Sequence, residues 1–165
     1  MKLSKYISLS SLLLFIGFAL FASCKKEENN ETPTTNLSSK EQQDSVLQVY
    51  FTKNNITAQK TASGLYYVID EQGTPIQNGE TIKVNYEGKL LSGKKFDSSF
   101  DRGQPIEFPI GVGRVIKGWD EGIPLVGKGG KGTLYIPSHL GYGARASGSV
   151  ITPYSILVFR VEVFN

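Results

Sequence analysis

Three observations predict an α+β fold. From Gly64 onward, short stretches alternate apolar and polar residues, the period of half-buried strands. The chain carries 18 glycines and 7 prolines, punctuation that suits short strands joined by turns. One stretch breaks the alternation: Gly113-Arg-Val-Ile-Lys-Gly-Trp119, which holds the only tryptophan. It reads as a helix of two turns from Lys117 to Ile123, with Trp119 in its first turn. Asp120 and Glu121 lie near its start, and Gly122 and Pro124 mark its end. An antiparallel sheet covered by that helix is the α+β arrangement.

The chain begins otherwise. After Lys2 and Lys5, residues 7 to 21 are almost uninterruptedly apolar. That run is short for a membrane span and is followed by small residues, so residues 1–23 read as a secretory signal. Phe21-Ala22-Ser23-Cys24 resembles the cleavage box of bacterial lipoproteins, with Phe21 in place of the usual leucine. That resemblance implies that Cys24 is lipidated and becomes the mature N-terminus; the other reading is an ordinary signal followed by a free thiol. Residues 24–37 form a polar tether that cannot bury enough apolar surface to order itself. Its twelve polar residues, Lys25 to Asn36, reach roughly 40 Å when extended.

The folded part follows in order. Residues 38–60 form an N-terminal helical segment, opened by Ser39 and Gln42 as a capping box and closed at Asn54-Asn55. Its narrow apolar stripe, Val46, Leu47 and Tyr50 with Phe51 beside it, either packs on the domain or makes a weak dimerisation surface; the first is expected, and with it a monomer. Residues 61–165 form the main domain. Leu65, Tyr67 and Ile69 face one side of a half-buried strand, and Gly73 to Gly79 is a turn region. Ile82, Val84 and Tyr86 share a face of the next strand. Ser92-Gly93 turns a hairpin back through Phe96. Ile106–Ile110 and Thr133–Ile136 are further short strands. The last strand points Leu157, Phe159, Val161 and Val163 inward. There is no internal repeat.

Composition excludes several functions. The formal charge of +3 falls to about +1 without Lys2 and Lys5, which gives no electrostatic case for nucleic acid. One cysteine and one histidine leave no internal disulfide and no Cys/His zinc site. No nucleophile-elbow pattern flanks a serine, and nothing near His139 needs a proton. Neither a metal nor a cofactor is expected.

Four stretches now line up: Val84-Asn-Tyr-Glu-Gly88, Gly93-Lys-Lys-Phe-Asp-Ser-Ser99, Val115-Ile-Lys-Gly-Trp119 and Leu140-Gly-Tyr-Gly-Ala144. With the terminal Leu157-Val-Phe159, their order and spacing resemble the FKBP-type peptidyl-prolyl cis-trans isomerases from about Gly79 to Asn165. The resemblance implies an antiparallel sheet half-wrapped around one short helix, with an apolar cup between them. Carried over residue by residue, Trp119 would be the floor under a substrate proline and Tyr86, Phe96 and Phe159 the walls. The backbone N–H of Ile116 and the hydroxyl of Tyr142 would bind substrate carbonyls. Asp97 would contact Tyr86 and Arg102 near the twisting amide. Val115, Ile116, Arg102, Ile106 and Ile151 would contact substrate. The rim departs from the family: Ile106 replaces a frequent phenylalanine, Arg114 a frequent acid, and the loop after Tyr142 lacks the usual histidine or proline.

Singly, each of these residues has a plainer explanation. Alternating Tyr86, Phe96 and Phe159 suit a core, Asp97 before two serines suits a turn, and Arg102 suits a solvated ion pair. Jointly and in this order they point to rotation about X-Pro bonds. The expected substrates are proline-containing unfolded or flexible polypeptides of the bacterial cell envelope, met by an exported, lipid-anchored enzyme at the periplasmic face or cell surface. The alternative is a proline-motif binding module or chaperone whose isomerase rate is incidental.

Overall fold

A computed structural model describes residues 37–164. The expected signal segment, lipidated Cys24 and tether through Asn36 lie outside the described residues.

The capping box forms as the sequence predicts. Ser39 Oγ accepts from Gln42 N–H, and the Gln42 side chain accepts from Ser39 N–H. It opens α1, Lys40–Asn54, which ends at Asn55 in the left-handed region. Strands β1 (Gln59–Lys60), β2 (Tyr66–Glu71), β3 (Thr81–Leu90) and β4 (Lys95–Ser98) follow. Then come a one-turn α2 (Ser99–Arg102), β5 (Ile106–Pro109), α3 (Lys117–Val126), β6 (Lys131–Ile136) and β7 (Leu157–Phe164). The strands make one antiparallel sheet in the order β1-β2-β6-β7-β3-β4, with β5 added beside the first half of β3. The fold is the α+β arrangement that the sequence predicts.

The inward residues Ile82, Val84, Tyr86, Leu134, Ile136, Leu157, Phe159, Val161 and Val163 form the main core with Trp119, Ile123 and Val126 of α3. Helix and sheet meet closely because two glycines one turn apart face β6. A Cβ on Gly118 would stand 2.5 Å from Ile136 Cγ2, and one on Gly122 2.7 Å from Leu134 Cδ1. Gly122 is thus a contact surface rather than the expected helix end. The helix also runs past Pro124 to Val126. The proline forfeits one backbone hydrogen bond, and burial of Ile123 and Val126, both at 0 % exposure, offsets the loss.

Strand β2 is also covered on its second face. Tyr66 and Val68, with Tyr135, Ile156 and Val158, pack against Leu47 and Phe51 of α1. The stripe of α1 therefore seats on the domain, but its centre is shifted. Gln43, Leu47 and Phe51 are the buried positions, while Val46 and Tyr50 are half-buried flanks. The phase moves because Gln43 finds polar partners inside, at Ser138 and Leu37. A polar residue at a core position is invisible to a purely apolar pattern.

Candidate functional site

Between α3, the β3–β4–β7 part of the sheet and the loop after β6 lies a hollow of about 700 Å³. Tyr86, Phe96, Asp97, Ile106, Val115, Ile116, Trp119, Tyr142, Ile151 and Phe159 line it together. Those are all the expected site residues except Arg102 and the undescribed Cys24.

Trp119 is 4 % exposed and lies at the bottom. Its ring meets Tyr86 edge-on at 5.0 Å and Phe159 edge-on at 5.1 Å, and Phe108 at 5.6 Å. Phe159 in turn meets Phe96 edge-on at 5.4 Å. Edge-to-face packing suits the positive rim and negative face of each ring. The set leaves a continuous aromatic floor and wall. Phe108 supports the floor from beneath without lining the hollow, a role its place on a short strand does not signal.

A buried indole N–H ordinarily finds a hydrogen-bond partner. Trp119 Nε1 has none among the described residues. An unsatisfied buried donor costs about 1–3 kcal/mol. Such groups are rare in native proteins and call for an explanation. Here the indole packs against Tyr86, Phe108 and Phe159, apolar ring surface that serves the cup rather than the donor.

Phe96 and Asp97 are neighbours in sequence, and on a regular strand they would face opposite ways. Both line the hollow because β4 carries a bulge. Gly88 pairs with Asp97 and Lys89 with Lys95, leaving Phe96 as the extra residue. Gly88 completes the arrangement by having no side chain. A Cβ there would stand 2.6 Å from Phe96 Cε2 and 2.8 Å from Phe159 Cε1.

The polar wall is a three-way contact. The Tyr86 hydroxyl donates to one Asp97 carboxylate oxygen, and the Arg102 guanidinium donates to the other. Arg102 also donates to the Tyr86 hydroxyl at 2.8 Å. Ser98 N–H adds a 2.8 Å bond to Asp97 Oδ1, the local turn bond that the plainer reading anticipates. Partial burial pushes the Asp97 carboxyl up, but the hydrogen bonds from Tyr86 and Arg102 together outweigh it and hold the group below the usual carboxylate range. Burial, then the Asp97 carboxylate, pushes the Tyr86 hydroxyl up. Arg102 was expected among the substrate contacts. It lies outside the lining and braces Tyr86 and Asp97 from behind, its guanidinium 5.5 Å from the Tyr86 ring centre.

Two further carboxylate and hydroxyl contacts set the frame, and neither was singled out from the sequence. The Asp120 carboxylate, expected near the helix start for its charge, accepts from Gly111 N–H and Gly113 N–H, both at 2.8 Å. Both glycines have positive φ, 76° and 75°, so this turn into Arg114-Val115-Ile116 suits glycine. Ser99, fully buried, accepts from Tyr86 N–H at 2.8 Å and donates to Asn85 Oδ1. It fixes β3 at the residue that carries the wall tyrosine. The rim also includes Arg114 and residues 147–150, the same positions at which the sequence departs from the family.

Comparison with known proteins agrees with this geometry. The family model described as "FKBP-type peptidyl-prolyl cis-trans isomerase" matches residues 72–164. A "Probable FKBP-type peptidyl-prolyl cis-trans isomerase" of Haemophilus influenzae is 50% identical over 107 residues, 64% of this chain and 44% of that protein. An "FK506-binding protein" of Neisseria meningitidis serogroup A is 53% identical over 93 residues, 56% of this chain and 85% of that protein. Among solved structures, FkpA from Escherichia coli superposes with a TM-score of 0.66 at 36% identity, covering 76% of this chain and 58% of that one. The chain thus spans less than half of the Haemophilus relative and just over half of the FkpA structure.

Proposed function

The chain belongs to the FKBP-type peptidyl-prolyl cis-trans isomerase family, and on that premise we propose that it isomerises X-Pro bonds in unfolded or flexible polypeptides. One observation carries the reading: the hollow joins an indole floor and aromatic walls, Trp119, Tyr86, Phe96 and Phe159, to the polar group of Asp97. Peptide rotation meets a barrier of about 18–20 kcal/mol because resonance stiffens C–N. The cis and trans X-Pro forms differ by only about 0.5–1 kcal/mol, so lowering the barrier suffices. No bond to another atom forms or breaks.

The chain's residues divide that work. Trp119, Phe96 and Phe159 take the proline ring and keep water from the imide. The twisted imide separates less charge than the planar one, so an apolar enclosure favours it. Tyr142 and the Ile116 N–H hold flanking carbonyls in a bent peptide. The Ile116 carbonyl accepts from Trp119 N–H and Asp120 N–H, which fixes the peptide unit that follows that N–H. Tyr86, Asp97 and Arg102 give the twisting amide a rigid polar neighbour without transferring a proton.

The finer reading is of an exported protein, held as a monomer at the envelope by a lipid on Cys24, that speeds slow X-Pro steps in the folding of envelope proteins. Uncatalysed, those steps last tens to hundreds of seconds. It rests on the signal-like run before Cys24 and the polar tether after it. A protease-coupled tetrapeptide assay on the full chain tests the activity, and the absence of acceleration leaves the binding-module reading. The mass of the native N-terminus tests the anchor.

A further inference from the structure

Tyr142 is 39 % exposed, so burial alone does not fix where its hydroxyl points. Arg145 N–H donates to the Tyr142 carbonyl and Tyr154 N–H to that of Gly143, but the N–H groups on either side of Tyr142 share one acceptor. Both chain neighbours of Tyr142 donate to the carbonyl of Ser138, Gly141 N–H at 2.9 Å and Gly143 N–H at 2.8 Å. Ser138 in turn is held from outside the cup. Its N–H donates to Gln43 Oε1 at 2.7 Å, and its Oγ accepts from Gln43 Nε2 at 2.6 Å. Gln43 is 1 % exposed and Ser138 4 %. The same Gln43 amide donates to the Leu37 carbonyl. A buried primary amide that accepts from the backbone N–H of one residue and donates to its side-chain hydroxyl fixes that residue's position and orientation together.

We propose that Gln43 is a positioning residue for Tyr142. Through Ser138 it sets the loop that aims the Tyr142 hydroxyl at a substrate carbonyl. The device is supplied by α1, which precedes the family-matched residues 72–164. It rests on the isomerase reading only for its kinetic consequence; the structural tie is measurable without it.

The test uses the full chain. Hydrogen exchange of the Gly141 and Gly143 amides is measured alongside X-Pro tetrapeptide kinetics for wild type, Gln43→Ala, Tyr142→Phe and the double variant. Gln43→Ala is expected to speed exchange of those two amides by about tenfold while amides of β3 and β7 keep their protection. It is also expected to lower kcat/KM about three- to tenfold, mostly through KM, the scale of one or two hydrogen bonds. Tyr142→Phe then costs less in the Gln43→Ala background than in wild type. Leu47→Ala, in the same helix but away from Ser138, controls for lost stability: it leaves the Tyr142→Phe factor unchanged. Should Gln43→Ala fail to fold, Ser138→Ala removes one of the two bonds and is read by the same measurements. Unchanged Gly141 and Gly143 exchange, or a Tyr142→Phe factor equal in both backgrounds, overturns the proposal. A wild type without isomerase activity overturns the functional reading instead, and the exchange result still decides the tie.

Discussion

Gly88 and Phe96 approach so closely that a single methyl group on the glycine would overlap the phenyl ring, at 2.6 Å from Cε2. The glycine does not have the positive φ that would by itself restrict substitution, so the constraint is the ring. Gly88→Ala is expected to fold, at a cost of about 1–3 kcal/mol for overpacking. Its X-Pro isomerase rate falls because Phe96 and Phe159 are displaced together. Denaturant titration and the tetrapeptide assay check both parts; a full rate in a folded variant argues against the aromatic wall.

The Asp97 contact makes a prediction about pH. Its carboxyl titrates below the ordinary value in the folded protein. Its contribution is therefore present above the unfolded value of about 3.9 and is lost as pH falls through the lower folded value. Tyr86 is shifted upward, so its hydroxyl remains a donor at neutral pH. The rate is expected to stay flat from about pH 5 to 9 and to decline only in acid. Asp97→Asn removes that acid limb; an ionisation near pH 7 in the wild-type profile contradicts the assignment.

Because Trp119 is the only tryptophan, the intrinsic fluorescence of the full chain reports on the floor. Adding an X-Pro peptide at several times its KM changes the emission, and the dependence on peptide concentration matches the kinetic one. Unchanged emission at saturation places the peptide elsewhere. Trp119→Ala is expected to lose about 3–5 kcal/mol, as for other large core truncations.

Arg114 is the charge on the rim without an ion-pair partner among the described residues, while the carboxylate of Asp97 is paired with Arg102. Peptides with an acidic residue beside the proline are expected to react about two- to fivefold faster than basic ones at low salt, the scale of one exposed ion pair. Arg114→Glu reverses the order. A preference that ignores both salt and Arg114 removes the residue from substrate selection.

Most strands were legible because one face of each is buried and the period of two shows through, as in Leu157, Phe159, Val161 and Val163. The cup residues were legible only jointly, by resemblance, since each aromatic alone reads as core. Three features were hidden. The bulge at Phe96 depends on pairing across strands and leaves no local signature. The extension of α3 past Pro124 depends on what Ile123 and Val126 bury. The inward turn of Gln43 depends on Ser138, 95 residues away in sequence. In each case the deciding contact is long-range, and no window of adjacent residues contains it.

The covering of the outer sheet face by α1 bears on where this chain can be cut. The family match begins at residue 72, after β2 has ended. A fragment trimmed there would bare the backbone edge of β6 that β2 occupies and uncover Tyr135 and Ile156, now beneath Leu47 and Phe51. A raw strand edge beside an apolar patch invites pairing with other chains. The minimal well-behaved fragment therefore starts no later than Leu37, whose carbonyl Gln43 still needs.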